Sequence, residues 1–456
     1  MNSANSRSLF GTDGIRGKVN THPMTAEIAL SLGRAAGIIF RTGSHRHSVV
    51  IGKDTRLSGY MFESALQAGL TSMGVNCLLV GPMPTPAVAF LTRALRADAG
   101  IMLSASHNPF YDNGIKIFGP AGMKLDDDME REIERVMAEA NLDLHMPEPD
   151  QLGRAKRLES ADGRYIEFCK NCFPRNLSLV GLRVVVDCAN GAAYKVAPAI
   201  LRELGAEVIA MGDAPNGINI NDNCGAMHPR GMQEKVRDVR ADLGLAFDGD
   251  ADRLVVCDDH GQLLHGDALL ALLALEMNRQ GTLKGGGVVA TVMSNLGLER
   301  LLAENGLSLA RANVGDRYVL EHMVQNGYNL GGEQSGHTIF LDHNTTGDGI
   351  ISALKVLEIR VSQARPLSRI NNGLRLVPQL LRNVDIVRGS KPLELPQVQE
   401  VMERVQQRMA SSGRILVRPS GTEPKIRVMV EGDDPRQIED ACEEICLAIR
   451  KAVGMI

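Results

Sequence analysis

The stretch Ala197-Pro-Ala-Ile-Leu-Arg-Glu-Leu-Gly205-Ala-Glu-Val-Ile-Ala-Met-Gly212 decides the fold. An apolar helical run stops at a glycine, a short apolar strand follows, and a second glycine turns the chain. Glycine enters the left-handed conformation that ends a helix without steric cost, so Gly205 reads as a cap. The pattern occurs twice more. Ser64-Ala-Leu-Gln-Ala-Gly-Leu runs on to Gly74, then Val75–Val80 and Gly81; Leu298-Glu-Arg-Leu-Leu-Ala-Glu-Asn ends at Gly306, then Leu307–Val314 and Gly315. Another strand precedes each helix: Val49–Gly52, Leu182–Asp187 and Val288–Val292. Strands alternating with helices predict βαβ units and sheets rich in parallel pairs.

Three related α/β domains account for this pattern, over residues 1–160, 161–260 and 261–375. The remainder, 376–456, reads differently. Two helical stretches (Val398–Met409 and Gln437–Val453) flank strands at Arg414–Val417 and Lys425–Val430, which predicts a small α+β domain. No flexible linker interrupts the chain, so the four parts are expected to pack as one body.

Bulk properties narrow the partners. At 456 residues the chain exceeds one hydrophobic core. A net charge of -4 argues against a nucleic-acid or acidic-membrane partner. No apolar stretch approaches the roughly 20 residues that span a bilayer, and the polar start Met1-Asn-Ser-Ala-Asn-Ser lacks the apolar core of a signal peptide. A cytoplasmic location is the expectation. The 8 cysteines are scattered, Cys169-x-x-Cys172 has no second pair at zinc spacing, and reduced thiols are expected.

Several segments carry chemistry. Ala99-Gly-Ile-Met-Leu-Ser-Ala-Ser-His-Asn-Pro109 is a buried-strand run that stops at Ser106 and His107. A serine hydroxyl is a weak nucleophile and needs a base, a metal or a stored phosphate. No G-x-S-x-G elbow surrounds it, and His107, as a sequence neighbour, has poor geometry for a base aimed at Ser106 Oγ. Asn113-Gly-Ile-Lys116 adds a lysine suited to acid, base or charge-clamp work. In Asp248-Gly-Asp-Ala-Asp-Arg253 the carboxylates recur every second residue after the strand Leu243–Phe247, and an extended backbone would point all three the same way. Crowded carboxylates repel unless a cation neutralises them, and hard oxygens suit Mg²⁺. A calcium loop of the EF-hand kind fails, because its sixth position is Arg253 and its twelfth is Asp259. A solvated acidic turn is the alternative.

Arg418-Pro-Ser-Gly-Thr-Glu-Pro424 is longer than a tight hairpin needs. Arg418 can grip phosphate bidentately, Ser420 and Thr422 offer hydroxyls, Gly421 admits a close backbone N–H, and Arg427 adds charge. Glu333, Ser335 and His337 of Gly332-Glu-Gln-Ser-Gly-His337 mix donors and acceptors as a sugar-reading loop would. Phe10-Gly-Thr-Asp-Gly-Ile-Arg16-Gly and Lys53-Asp-Thr-Arg56 carry positive charge, and either could be a surface turn. Serine, acidic triplet and phosphate-gripping loop together read as phosphoryl transfer.

The ordered set F-G-T-D-G-I-R-G, S-A-S-H-N-P, F-D-G-D-A-D-R, G-E-Q-S-G-H and R-P-S-G-T-E-P resembles the α-D-phosphohexomutases, from Leu9 to nearly the end. The variants present, with Thr345-Thr-Gly-Asp-Gly349, most resemble bacterial members acting on glucosamine phosphates. The resemblance implies four domains around a central cleft, with Ser106 as the phosphoserine. Asp248, Asp250 and Asp252 would hold one Mg²⁺ together with the Ser106 phosphate. Glu333 and Ser335 would read O3 and O4 of the sugar, while Arg418, Ser420, Gly421 and Thr422 would grip the phosphate not in transfer. Lys116 and His337 are the acid/base candidates, with Arg16, His107 and Arg253 assisting. Ala251 replaces a glycine that some members carry. The implied reaction interconverts glucosamine 6-phosphate and glucosamine 1-phosphate through a sugar bisphosphate, feeding UDP-N-acetylglucosamine synthesis; the sequence does not fix the oligomeric state, and a homodimer is one assembly open to it. A glucose or mannose phosphate mutase, or a silent sugar-phosphate-binding protein, are the alternatives.

Overall fold

A computed structural model describes residues 9–11, 13–139, 145–370, 373–387, 389–410, 412–420 and 424–454. The first domain runs β1 (Ile15–Lys18), α1 (Ala26–Phe40), β2 (Ser48–Lys53), α2 (Ser58–Ser72), β3 (Asn76–Pro82), α3 (Thr85–Ala94), β4 (Ala99–Leu103), β5 (Asp112–Phe118), α4 (Asp127–Met137) and β6 (Ala155–Arg157). The second runs α5 (Ala161–Lys170), β7 (Arg183–Asp187), α6 (Val196–Glu203), β8 (Glu207–Met211), α7 (Arg230–Val239), β9 (Leu243–Phe247) and β10 (Leu254–Cys257). The third holds α8 (Gly266–Arg279), β11 (Gly287–Thr291), α9 (Leu296–Glu304), β12 (Ser308–Ala312), α10 (Asp316–Asn326), β13 (Leu330–Gly332), β14 (Thr338–Phe340) and α11 (Gly349–Ser362). The fourth has β15 (Gln379–Asp385), α12 (Pro396–Met409), β16 (Gly413–Pro419), β17 (Lys425–Gly432) and α13 (Pro435–Ala452).

The first three sheets repeat one topology. Their spatial orders contain β5-β4-β2-β3, β10-β9-β7-β8 and β14-β13-β11-β12. In each, three strands are parallel and the outer one is antiparallel. Helices cover both faces, which is why the central strands read as unbroken apolar runs. Side chains still alternate along them. Val50 faces one core cluster while Val49 and Ile51 face another, and Val185 and Val289 oppose their neighbours in the same way. One core cluster links residues of all three domains. The capping glycines Gly74, Gly205 and Gly306 have φ of 80°, 100° and 70°, in the left-handed region.

The fourth domain is an antiparallel sheet of order β15-β17-β16 under α12 and α13, with its own core. It docks on the third domain, where Arg414 donates to the carbonyls of Val292 and Ser294, both at 2.8 Å. No helix among the described residues is long and apolar enough to cross a membrane.

Candidate active site

In each α/β domain the turn from the last parallel strand into the antiparallel one carries a chemical motif. The β4–β5 turn carries Ser106, the β9–β10 turn carries Asp248 to Asp252, and the β13–β14 turn carries Glu333 to His337. In open α/β sheets, ligands bind outside the carboxyl ends of the parallel strands. The three domains present equivalent loops to one another.

Ser106 is buried and sits at φ 51°, a left-handed conformation that costs a non-glycine residue about 1–3 kcal/mol. Three groups hold it there. The Ser106 N–H donates to Ser104 Oγ at 2.9 Å, while its carbonyl accepts from Arg56 Nη2 at 3.2 Å and from Asn221 Nδ2 at 2.9 Å. Ser104 is thereby turned inward as a brace, and Ser106 Oγ faces the second domain, donating to Asp248 Oδ2 at 2.6 Å. His107 Nδ1 lies 3.3 Å from Ser106 Oγ, so the adjacent histidine does reach the hydroxyl, contrary to the expectation from its position. The left-handed turn swings the two side chains together. Burial, then repulsion from Arg253 and Arg16, pushes the His107 pKa down to about 4.

The acidic triplet converges by a turn rather than along an extended strand. Ala251 takes φ 56° and its N–H donates to Asp248 O at 3.0 Å, closing a tight turn. This left-handed position suits glycine, yet the alanine accepts it and the carboxylates still gather within 4.8 Å, all buried. Burial, then Asp252 and Asp250, raises the pKa of Asp248. Burial also acts to raise that of Asp252, but Lys116, His337 and Arg253 outweigh it and hold the group charged. Oδ1 of Asp250 and Oδ1 of Asp252 are buried without a hydrogen bond. Orphaned carboxylate oxygens in a buried, negatively charged loop fit a hard divalent cation.

Lys116, on β5, places Nζ 2.8 Å from Asp250 Oδ2, 3.3 Å from Asp252 Oδ2 and 3.6 Å from Asp13 Oδ2. Burial would lower its pKa, but Asp13, Asp250 and Asp252 raise it instead, so the amine is a cation here. Arg16, one strand over on β1, pairs with Asp13. Lys124 bridges Asp13 and Asp316, reaching Asp316 Oδ2 at 2.7 Å, and His337 Nε2 lies 3.4 Å from that same oxygen. His337 Nδ1 approaches Asp252 Oδ1 to 3.7 Å and completes a ring of alternating charge back to Lys116. Burial would lower the His337 pKa, but Asp252, Asp316 and Glu333 bring it up to about 9. The Gly347 N–H also aims at Nε2, at 3.1 Å, which favours the neutral ring. The backbone N–H of Arg253 donates to Asp248 Oδ1 at 3.1 Å; the guanidinium Nε atoms of Arg253 and Arg16 are buried without a hydrogen bond, that of Arg253 standing 3.8 Å from Asp252 Oδ1.

Glu333 and Ser335 are half-buried beside this ring. Ser335 Oγ donates to Glu333 Oε2 at 3.3 Å, and Gly315 N–H donates to Oε1 at 3.1 Å. In the fourth domain, Arg418 and Arg427 stand directly opposite on β16 and β17. Like charges paired across strands are unfavourable without an anion. Ser420 Oγ next to them is buried with no hydrogen bond. Gly421 and Thr422 lie outside the described residues. Among the described residues, no hydrogen bond or ion pair joins this hairpin to the Ser106 cluster.

Several contributors carry no local sequence signal. Arg56 is fully buried against Asp54 and braces the Ser106 loop, so Lys53-Asp-Thr-Arg56 is no surface turn. Thr85, at the start of α3, donates to Asp250 Oδ2 at 2.5 Å, while Asn221, Lys124 and Asp316 enter from distant segments. The domain contact also depends on Gly249, where a Cβ would come within 2.5 Å of Ser106 O and 2.8 Å of Asn221 Nδ2. Gly249→Ala is therefore expected to push the two loops apart and lower kcat by about 10²-fold with the circular dichroism spectrum unchanged. Wild-type kcat in this variant would show that the contact is slack.

Comparisons with known proteins cover nearly the whole chain. The family described as phosphoglucomutase/phosphomannomutase matches through its alpha/beta/alpha domain I at residues 7–143, domain II at 163–261, domain III at 265–375 and C-terminal domain at 381–448. The phosphoglucosamine mutase of Magnetococcus marinus is 65% identical over 446 residues, 98% of this chain and 92% of the relative. That of Mesorhizobium japonicum is 57% identical over 438 residues, 96% of this chain and 97% of the relative. Among solved structures, a phosphoglucomutase/phosphomannomutase family protein from Burkholderia thailandensis has a TM-score of 0.80 at 26% identity, covering 98% of both chains. The Aspergillus fumigatus N-acetylphosphoglucosamine mutase, solved with GlcNAc-6P and magnesium, shares the fold at a TM-score of 0.65 and 18% identity, covering 97% of this chain and 96% of that one. Four matching domains in order, and three equivalent turns that gather a buried serine, an acidic triplet and a histidine, lead to one conclusion: the chain belongs to the phosphoglucomutase/phosphomannomutase family.

Proposed function

We propose that this chain interconverts glucosamine 6-phosphate and glucosamine 1-phosphate, with Ser106 as the phosphoryl carrier. The observation that carries the reading is the buried Ser106 hydroxyl held 2.6 Å from Asp248, at the meeting point of two domains. Relatives at 57–65% identity named phosphoglucosamine mutase supply the sugar.

Phosphorylated Ser106 gives up its phosphoryl group as the Oγ–P bond breaks and a sugar oxygen forms the new O–P bond. The hydroxyl proton of the sugar is balanced by a proton arriving on Ser106 Oγ. The resulting bisphosphate turns over, and its other phosphoryl group returns to Oγ by the reverse exchange. Asp248, Asp250 and Asp252, with an oxygen of the Ser106 phosphate, would hold one Mg²⁺; when bound it neutralises charge on the group in transfer. Arg16, Arg253 and Lys116, all cationic, line the same space and stabilise that charge. Neutral His107 is placed to exchange a proton with Oγ. His337, drawn toward protonation by three carboxylates and toward neutrality by the Gly347 N–H, suits a group that gains and loses a proton at the sugar oxygen. Arg418, Ser420, Gly421, Thr422 and Arg427 take the phosphate not in transfer.

A substrate held in two opposite orientations is best read at hydroxyls that superpose after the flip. Glu333 and Ser335 suit O3 and O4, and neither selects the C2 substituent. Discrimination of amine against hydroxyl at C2 is therefore expected to be modest, about 1–3 kcal/mol in kcat/KM. Coupled assays with glucosamine, glucose and mannose phosphates test this. Glucosamine phosphate is expected to be preferred, glucose phosphate to be a poor but measurable substrate, and Glu333→Ala to harm both in similar proportion. A better rate with glucose or mannose phosphate would overturn the sugar assignment.

A further inference from the structure

At the opposite end of the central strands of the first sheet, His45, His47 and Asp98 gather three potential ligand atoms within 4.8 Å of one another. His47 immediately precedes β2 and Asp98 immediately precedes β4, its parallel neighbour. Ser106 follows the far end of β4, so strand length alone separates the two places by roughly 16 Å. The arrangement is built rather than incidental. Asp98 Oδ2 is fixed by the Ser48 N–H at 2.8 Å, and the Asp98 N–H donates to Ser48 O at 2.9 Å. That leaves Oδ1 to face both rings, with His45 Nε2 at 2.7 Å and His47 Nδ1 at 3.4 Å. The His47 backbone is pinned in turn, its carbonyl accepting from Asn76 N at 3.0 Å and Nδ2 at 3.1 Å. His47 is buried, Asp98 is half-buried and His45 is exposed, so the trio opens to solvent on one side.

We propose that His45, His47 and Asp98 form a second metal site, selective for a borderline transition ion such as Zn²⁺ over Mg²⁺. Two imidazoles and one carboxylate are the donors that such ions take with an open fourth position, whereas Mg²⁺ prefers oxygen alone. Tetrahedral bonds of about 2.0–2.2 Å put ligand atoms roughly 3.3–3.6 Å apart; His47 Nδ1 and Asp98 Oδ1, at 3.4 Å, already stand so, and the exposed His45 ring would swing out from its 2.7 Å hydrogen bond to admit the ion. The oxygen-only Asp248 triplet and this nitrogen-rich trio therefore divide hard and softer cations between them.

The test uses full-length protein equilibrated with excess Mg²⁺ and then titrated with Zn²⁺, with Co²⁺ as spectroscopic probe. Wild type is expected to take up Zn²⁺ with a rise in Tm, and its Co²⁺ form to show the intense visible bands of four-coordinate nitrogen ligation. Exposed His45→Ala, which should fold normally and keep mutase activity, is expected to weaken this binding by at least about tenfold. His47→Gln should do the same. Equal Zn²⁺ uptake and Tm shift in wild type and His45→Ala, or a Co²⁺ spectrum with only weak octahedral bands, would overturn the proposal. The trio would then be a pair of hydrogen bonds to Asp98 and nothing more.

Discussion

Replacement of Ser106 by alanine is expected to abolish turnover, lowering kcat on the order of 10⁶-fold, the size of effect seen when a covalent nucleophile is removed. The fold should survive. Ser106 is held by its backbone, through Ser104, Arg56 and Asn221, and its side chain makes one hydrogen bond across the domain contact and approaches His107. Ser104→Ala provides the contrast. It removes the brace on the Ser106 N–H but leaves the carrier oxygen, so a partial loss is expected. Steady-state assays of both variants, with matched circular dichroism, check this pair. Near-normal activity in Ser106→Ala with a dead Ser104→Ala would exchange their roles.

The second large effect is expected at Asp250. Its Oδ2 accepts from Lys116 and Thr85, and its Oδ1 is buried with no partner. Asp250→Asn keeps the shape and removes the charge. It is expected to cost two to three decades in kcat, roughly 3–4 kcal/mol, as lost electrostatic stabilisation of a charged transition state does. Chelation of wild type should stop turnover and added Mg²⁺ should restore it, while the asparagine variant should need far more Mg²⁺. Full activity after exhaustive chelation would remove the metal from the account.

How far the sequence could be read depended on whether a feature was local. The helix–glycine–strand pattern is local, and Gly74, Gly205 and Gly306 adopt the conformations that their positions implied. Ser106 and the Asp248 triplet were legible because both interrupt apolar strands with polar residues that no core would choose. The shape of the triplet was not legible. An alanine gives no sign of the left-handed turn that Ala251 takes; the glycine some members carry there is the one hint of it. Strand β15 carries no legible signal because its burial alternates but its residue types do not: Leu381 is exposed and Arg382 half-buried, which breaks the apolar–polar pattern. Arg56 could equally be part of a surface turn, and Lys124 carries no signal of its own, because a lone arginine or lysine usually lies at the surface. Their burial follows from partners far along the chain, as with Lys124 and Asp316, 192 residues apart. The equivalence of the three motif-bearing turns emerges only when the sheets are aligned.

The central claim is that one phosphoryl group cycles through Ser106 Oγ to the sugar. Single turnover with enzyme carrying labelled phosphate tests it most directly. After addition of glucosamine 6-phosphate, label is expected to leave the peptide containing Ser106 and to be found in glucosamine 1,6-bisphosphate before glucosamine 1-phosphate forms. Label retained on the protein while glucosamine 1-phosphate accumulates, or label mapped to Ser104, would contradict the account.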